Sequence, residues 1–153
     1  MHFEQIVEVD TDTKSVWKFL WEVERLARCL PGCQEVEEIE PQKKYTVVVE
    51  ERIGPFKARF EMDVEVLDLD LESRVRIQAV GKDRKLGAST RAELDVQLHE
   101  LGPAKTALNV TADIQVVGKI ASLGQVAIKR KAQDIVARFA NAIATELASE
   151  PVS

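Results

Sequence analysis

The sequence predicts an α+β domain in which a curved, seven-stranded antiparallel sheet is covered by one long C-terminal helix, in the order βααββββββα. Three observations lead there. Apolar residues fall at every second position through much of 34–118, helical spacing appears before and after that stretch, and turn residues cut it into hairpins.

The elements follow in order. His2 to Val9 reads as a first strand, ended by the polar run Asp10-Thr11-Asp12-Thr13. Asp12 or Thr13 can cap a short helix, since a side-chain oxygen there accepts from an otherwise unpaired first-turn N–H. Its apolar residues Val16, Trp17, Leu20 and Trp21 recur at helical spacing. A second short helix, roughly 23–29, offers Val23, Leu26 and Leu30 to the core. Leu30-Pro31-Gly32 stops it, because proline cannot continue a helix and glycine permits the reversal.

From Gln34 to about Gly118 the period becomes two. In 56–66 every even position is apolar and every odd one charged, from Phe56 to Val66. Ala92, Leu94, Val96 and Leu98 alternate with Arg91, Glu93, Asp95 and Gln97, and the same pattern runs from Leu108 to Val116. Such a sheet has one wet face and one buried face. Turn residues at Pro41-Gln42, Gly54-Pro55, Glu72-Ser73, Lys82 to Gly87 and Gly102-Pro103 space six consecutive strands, seven with the first.

The last segment, about 119–147, lacks proline and returns to helical spacing through Leu123, Ala127/Ile128, Ala132, Ile135, Phe139 and Ile143. At ~1.5 Å per residue it would be roughly 40 Å long, long enough to cover the apolar face of the meander. Residues 1–150 are expected to form a single ligand-binding domain, with 151–153 a disordered tail.

Several inward positions are small: Ala58, Ala79, Ala92 and Ala112 on strands, Ala127 and Ala132 on the helix. A curved sheet under a straight helix leaves a wedge of space that facing alanines do not fill. An empty 300 Å³ hole would cost on the order of 7 kcal/mol at ~24 cal/mol per Å³, so the space is collapsed, wet or occupied. The plain alternative is that the alanines let the helix pack closely. If a ligand enters, it should be apolar. The expected contacts on the sheet are Val47, Val49, Phe56, Ala58, Phe60, Met62, Ala79 and Leu94. Those on the helix are Leu123, Ala127, Ile128, Ile135 and Phe139. Burying ~200 Å² of a ring system there would contribute about 5 kcal/mol before binding costs.

Composition limits the function. The net charge of −5 (21 basic against 26 acidic residues) argues against a nucleic-acid partner. Residues 1–70 hold 17 acidic and 9 basic side chains, a balance of −8, and 119–147 hold five basic and two acidic, a balance of +3. The cluster Lys129-Arg130-Lys131 is therefore either a solvated face or a contact for an anionic partner or membrane surface. No apolar run approaches the roughly 20 residues of a membrane span, and the N-terminus lacks a signal-peptide pattern, so a cytoplasmic protein is expected, with peripheral contact at the inner face of the membrane as the alternative.

Cys29 and Cys33 bracket the Leu-Pro-Gly turn, but a zinc site wants four ligands and neither His2 nor His99 has suitable spacing. No metal site is expected. A catalytic cysteine needs a nearby base, and nothing local supplies one. No nucleophile elbow, zinc-protease helix or phosphate loop occurs, and Gly81 to Gly87 is a hairpin turn with no helix behind it. No catalytic residues are assigned. An enzyme on this fold, a cyclase or hydrolase, would need Tyr45, Glu51 or His99 facing inward.

Five short motifs in the correct order resemble the CoxG family of carbon monoxide dehydrogenase proteins, in the START/Bet v 1-like (SRPBCC) group, over nearly the whole chain. They are Val16-Trp17, Leu30-Pro31-Gly32-Cys33, Gly54-Pro55-Phe56-Lys57-Ala58, Gly81-Lys82, and Ala112-Asp113-Ile114 through Val116-Val117-Gly118-Lys119-Ile120-Ala121 to Leu123-Gly124. The resemblance implies a helix-grip (START-like) fold and a non-enzymatic accessory protein of a molybdenum-hydroxylase-type dehydrogenase. It also implies a quinone or other isoprenoid lipid as the bound molecule, with no other cofactor. Some members attach to the membrane through a C-terminal extension. This chain stops at Ser153, and three basic residues at ~1 kcal/mol each imply only weak peripheral contact. A glycine-rich stretch common after the fifth strand is replaced by Asp83-Arg84-Lys85, which should alter a cavity mouth or docking surface. A surface docking partner with a collapsed core and no ligand remains the third reading.

Overall fold

A computed structural model describes residues 1–148; the last two residues of the expected domain and the expected tail 151–153 lie outside the described residues. Strand β1 spans His2–Val9, helix α1 Thr13–Leu20 and helix α2 Val23–Cys29. Strands β2 (Cys33–Glu40), β3 (Lys44–Ile53), β4 (Phe56–Asp70), β5 (Arg74–Asp83), β6 (Ala88–Gly102) and β7 (Lys105–Val117) follow. A 3-10 turn at Lys119–Leu123 leads into helix α3, Gln125–Ala148. The sheet order is β1-β7-β6-β5-β4-β3-β2. Every neighbouring pair is antiparallel. This is the seven-stranded helix-grip architecture with its βααββββββα order.

Topology follows from the connections. Strands β2 to β7 form a meander of hairpins, whereas β1 pairs with β7 at the far edge. The short helices α1 and α2 therefore carry the chain across the open end of the sheet, from one edge to the other. Arg25 of α2 ties this crossing to α3 through Glu146, at 3.0 Å, and its guanidinium lies 4.9 Å above the Phe19 ring.

Register sorts the faces. Directly paired residues share a face of a sheet, so Val66, Ile77, Leu94, Ala112 and Phe3 form one inward row across β4, β5, β6, β7 and β1. The next inward row is Tyr45, Val64, Ala79, Ala92 and Ile114. The alternation in the sequence thus lands apolar-in. Outward neighbours pair as charges, for example Arg59 with Glu50 at 2.8 Å and Arg76 with Asp68 at 2.9 Å.

The final segment departs from the expectation of one helix over 119–147. Gly118 (φ +103°) and Gly124 (φ +87°) bracket a separate 3-10 turn, because both residues adopt backbone that side-chain-bearing residues avoid. Leu123 therefore lies on that turn, not on α3. The remaining 24 residues give a helix of ~36 Å.

Asp83 closes the β5–β6 turn. Its buried carboxylate accepts from the backbone N–H of Arg59 (2.8 Å) and of Leu86 (3.1 Å). Burial alone would raise its pKa, but the backbone N–H groups of Arg59, Leu86 and Lys85, with the Lys85 charge, outweigh it and hold it below the usual carboxylate range.

The buried core is divided. One cluster gathers Val9, Val16, Trp17, Phe19, Leu108, Ile143 and Leu147, under α1, α2 and the C-terminal half of α3. A second gathers Ala58, Phe60, Ala88, Ile120 and Ile128, where the 3-10 turn and the start of α3 meet β4 and β6. Buried side chains of the two clusters do not merge. This division positions everything that follows.

Candidate ligand-binding interior

Between the two clusters lies the middle of the sheet, facing the middle of α3. Val47, Val49, Val64, Leu94, Ile114 and Ile135 belong to neither cluster. All six are only half-buried. A tightly packed seven-stranded sheet under a helix should bury its central inward residues fully. Here Ala79 and Ala92 sit side by side in the floor of this band, with Ala112 one row on, so short side chains keep the floor low.

The thirteen predicted contact residues divide accordingly. Val47, Val49, Ala79, Leu94 and Ile135 lie in the band. Ala58, Phe60 and Ile128 form part of the second cluster, with Phe56, Met62 and Leu123 packed against it. Phe139 packs against the first cluster. Ala127 is the exception: it is exposed, because α3 starts only after Gly124 and its phase puts Ile128, not Ala127, in line with Ile135. The pairing Ala127/Ile128 in the sequence could not separate the two.

The concavities of the surface lie beside this band. A cleft of about 600 Å³ opens between the α2–β2 turn and α3, bordered by Arg28, Cys29, Pro31, Gly32, Cys33 and Arg138, among others. A second of about 240 Å³ lies between β1 and α3, at His2, Gln5, Lys129 and Gln133. None of the thirteen residues lines either cleft. Sequence reasoning missed the first cleft; its signal was the helix-stopping Leu30-Pro31-Gly32 turn, read only as punctuation.

At this cleft a carboxylate stands on the inward face. Glu51 is opposite the fully buried Ala58, in line with Val47 and Val49 along β3. Its Oε1 is 2.9 Å from Lys131 Nζ and 3.6 Å from Arg138 Nη1, and its side chain is only 16% exposed. Gly32 approaches so closely that a Cβ there would stand 2.1 Å from the Glu50 carbonyl oxygen and 2.9 Å from Glu51 Oε2. Strand β3, helix α3 and the α2–β2 turn therefore meet at one carboxylate.

Other polar groups divide in the same way. The Tyr45 hydroxyl accepts from the Gln42 backbone N–H at 2.8 Å, closing a turn, and burial pushes its pKa up. His99 is exposed. The Cys29 and Cys33 thiols are both pushed up by burial, Cys29 also by Glu146, which disfavours the reactive thiolate. No group of three or more His, Cys, Asp and Glu side chains able to hold a metal occurs among the described residues. The Trp21 indole N–H is buried without an acceptor among the described residues, at the margin of the first cluster and edge-on to Trp17. No helix of the described residues is long and apolar enough to cross a membrane.

Comparison with known proteins agrees with this geometry. The family profile of the carbon monoxide dehydrogenase CoxG protein matches residues 6–148. No curated protein matches the sequence. Among solved structures, a conserved protein from Geobacillus kaustophilus is similar over 97% of this chain and 95% of its own, at 24% identity and a TM-score of 0.86. A START superfamily protein from Mycobacterium smegmatis is similar over 95% and 96%, at 16% identity and a TM-score of 0.72. The Zhui aromatase/cyclase from Streptomyces sp. R1128 is similar over 99% of both chains, at 17% identity and a TM-score of 0.64. These likenesses establish the fold.

Proposed function

Since the chain belongs to the CoxG family of carbon monoxide dehydrogenase proteins, we propose that it is a non-enzymatic accessory protein that carries a quinone or other isoprenoid lipid for a molybdenum-hydroxylase-type dehydrogenase. The single observation that carries this reading is the division of the core, with a half-buried apolar band beneath the middle of α3. A ring of ~200 Å² buried against Val49, Leu94 and Ile135 contributes about 5 kcal/mol before binding costs. A ligand carbonyl also suits the buried Trp21 N–H, since leaving such a donor unpaired costs about 1–3 kcal/mol. A quinone offers both a ring and an acceptor.

The described residues supply no inward acid–base pair of the kind a cyclase or hydrolase requires. Of the three candidates, Tyr45 closes a turn, Glu51 is ion-paired and His99 is exposed. At the surface, Lys129 and Arg130 are exposed while Lys131 is engaged by Glu51, so the basic cluster offers two charges to an anionic membrane. At ~1 kcal/mol each they support brief peripheral contact, sufficient for exchange of a lipid but not for anchoring.

Thermal denaturation with a decyl-substituted benzoquinone tests the reading. At a quinone concentration 100 times its Kd, about 2.7 kcal/mol of stabilisation is expected, which raises Tm by roughly 5–10 °C for a chain of this size. An unchanged Tm with quinones and with prenyl lipids alike would refute it.

A further inference from the structure

We propose that the cleft between the α2–β2 turn and α3 is the portal to the interior, and that Glu51 with Lys131 and Arg138 is a charged latch across it that sets the rate of ligand exchange. The inference rests on the carrier reading and goes beyond it, because it assigns a gate and not a ligand contact. Three placements carry it. Glu51 follows Val49 along the inward face of β3, so it stands at the rim of the half-buried band. Lys131 and Arg138 lie four residues before and three after Ile135 on α3, so they flank the band's helical wall. Arg138 and Gly32 both border the 600 Å³ cleft, and Gly32 crowds the Glu51 carboxylate. The ion pairs therefore stand where cleft and band meet.

The chemistry suits a gate. An apolar contact at this rim would be held shut by the hydrophobic effect, since opening would expose its surface to water. An ion pair behaves otherwise. When it parts, each charge regains the hydration it lost on pairing, so opening exchanges Coulomb attraction for solvation at small net cost. Arg138 also has Asp134 at 3.3 Å as a second partner, so its guanidinium remains paired when it leaves Glu51. Three elements pinned on one carboxylate thus form a closure that is ordered when shut and inexpensive to open.

Stopped-flow quenching of the tryptophan fluorescence by the decyl-substituted benzoquinone tests the latch. Glu51→Gln should raise association and dissociation rates together by about ten-fold, leaving Kd within about two-fold, because a gate changes rates and not the bound state. Replacing Glu51 and Lys131 together with leucine should slow both rates. Hydrogen–deuterium exchange without quinone gives a second readout: Glu51→Gln should speed exchange in α3 around 131–138 several-fold while Tm stays within about 3 °C. Unchanged rates and exchange in Glu51→Gln, or a fall in affinity through dissociation alone, would overturn the latch. Absence of quinone binding by the unaltered protein would refute the carrier reading, and the exchange measurement would then decide whether the closure itself exists.

Discussion

Gly118→Ala is expected to destabilise the protein by about 3–5 kcal/mol, lowering Tm by roughly 10 °C or more. Gly118 joins β7 to the 3-10 turn with φ +103° and ψ −161°, a region essentially reserved for glycine. A Cβ there would stand 2.2 Å from the Gly87 carbonyl oxygen and 2.8 Å from Ala88 Cα, both backbone atoms that cannot rotate away. Relief requires moving the 3-10 turn off the β6 edge, which would unseat Ile120 from the second core cluster. Gly87→Ala is the control. It also has positive φ, +57°, but nothing lies within 4 Å of its Cβ position, so only the left-handed backbone cost of about 1 kcal/mol applies. Chemical denaturation of both variants separates strain from collision. Equal losses in the two would contradict this account of the junction.

Leu94→Phe should leave stability nearly unchanged and weaken quinone binding at least about ten-fold. Leu94 is half-buried in the centre of the sheet, paired with Ile77 and Ala112, and belongs to neither cluster. In a filled core, the added ring would cost about 1–3 kcal/mol through overpacking. In a band left open for a guest, the ring occupies the guest's space, gains apolar burial and displaces the ligand instead. Urea denaturation together with quinone titration separates the outcomes. A loss of several kcal/mol with unchanged affinity would place Leu94 in ordinary packing.

Much of this architecture is written in short-range patterns. The strict alternation through 56–66 predicts strand β4, Phe56–Asp70, and register then carries its even positions inward. Proline and glycine at 31–32 end α2 where the chain must turn into β2. What the sequence could not show depends on three-dimensional approach. Gly118 and Gly124 split the final helix because of backbone angles that no periodicity reports. Ala127 and Ile128 are adjacent apolar residues, and only the true start of α3 decides which faces inward. In the sequence Glu51 is one candidate acid among several. Its importance comes from Lys131, far away along the chain and 2.9 Å away in space. The division of the core is likewise a property of contacts between distant elements, invisible to composition.

The most direct measurement is a crystal structure of the protein grown with the decyl-substituted benzoquinone. Continuous density for the ring between Val49, Leu94 and Ile135, with an oxygen towards the Trp21 indole, is the expected result. Ile135 and Phe139 packed directly onto Leu94 and Ile77, with no room between helix and sheet and the quinone absent, would contradict it.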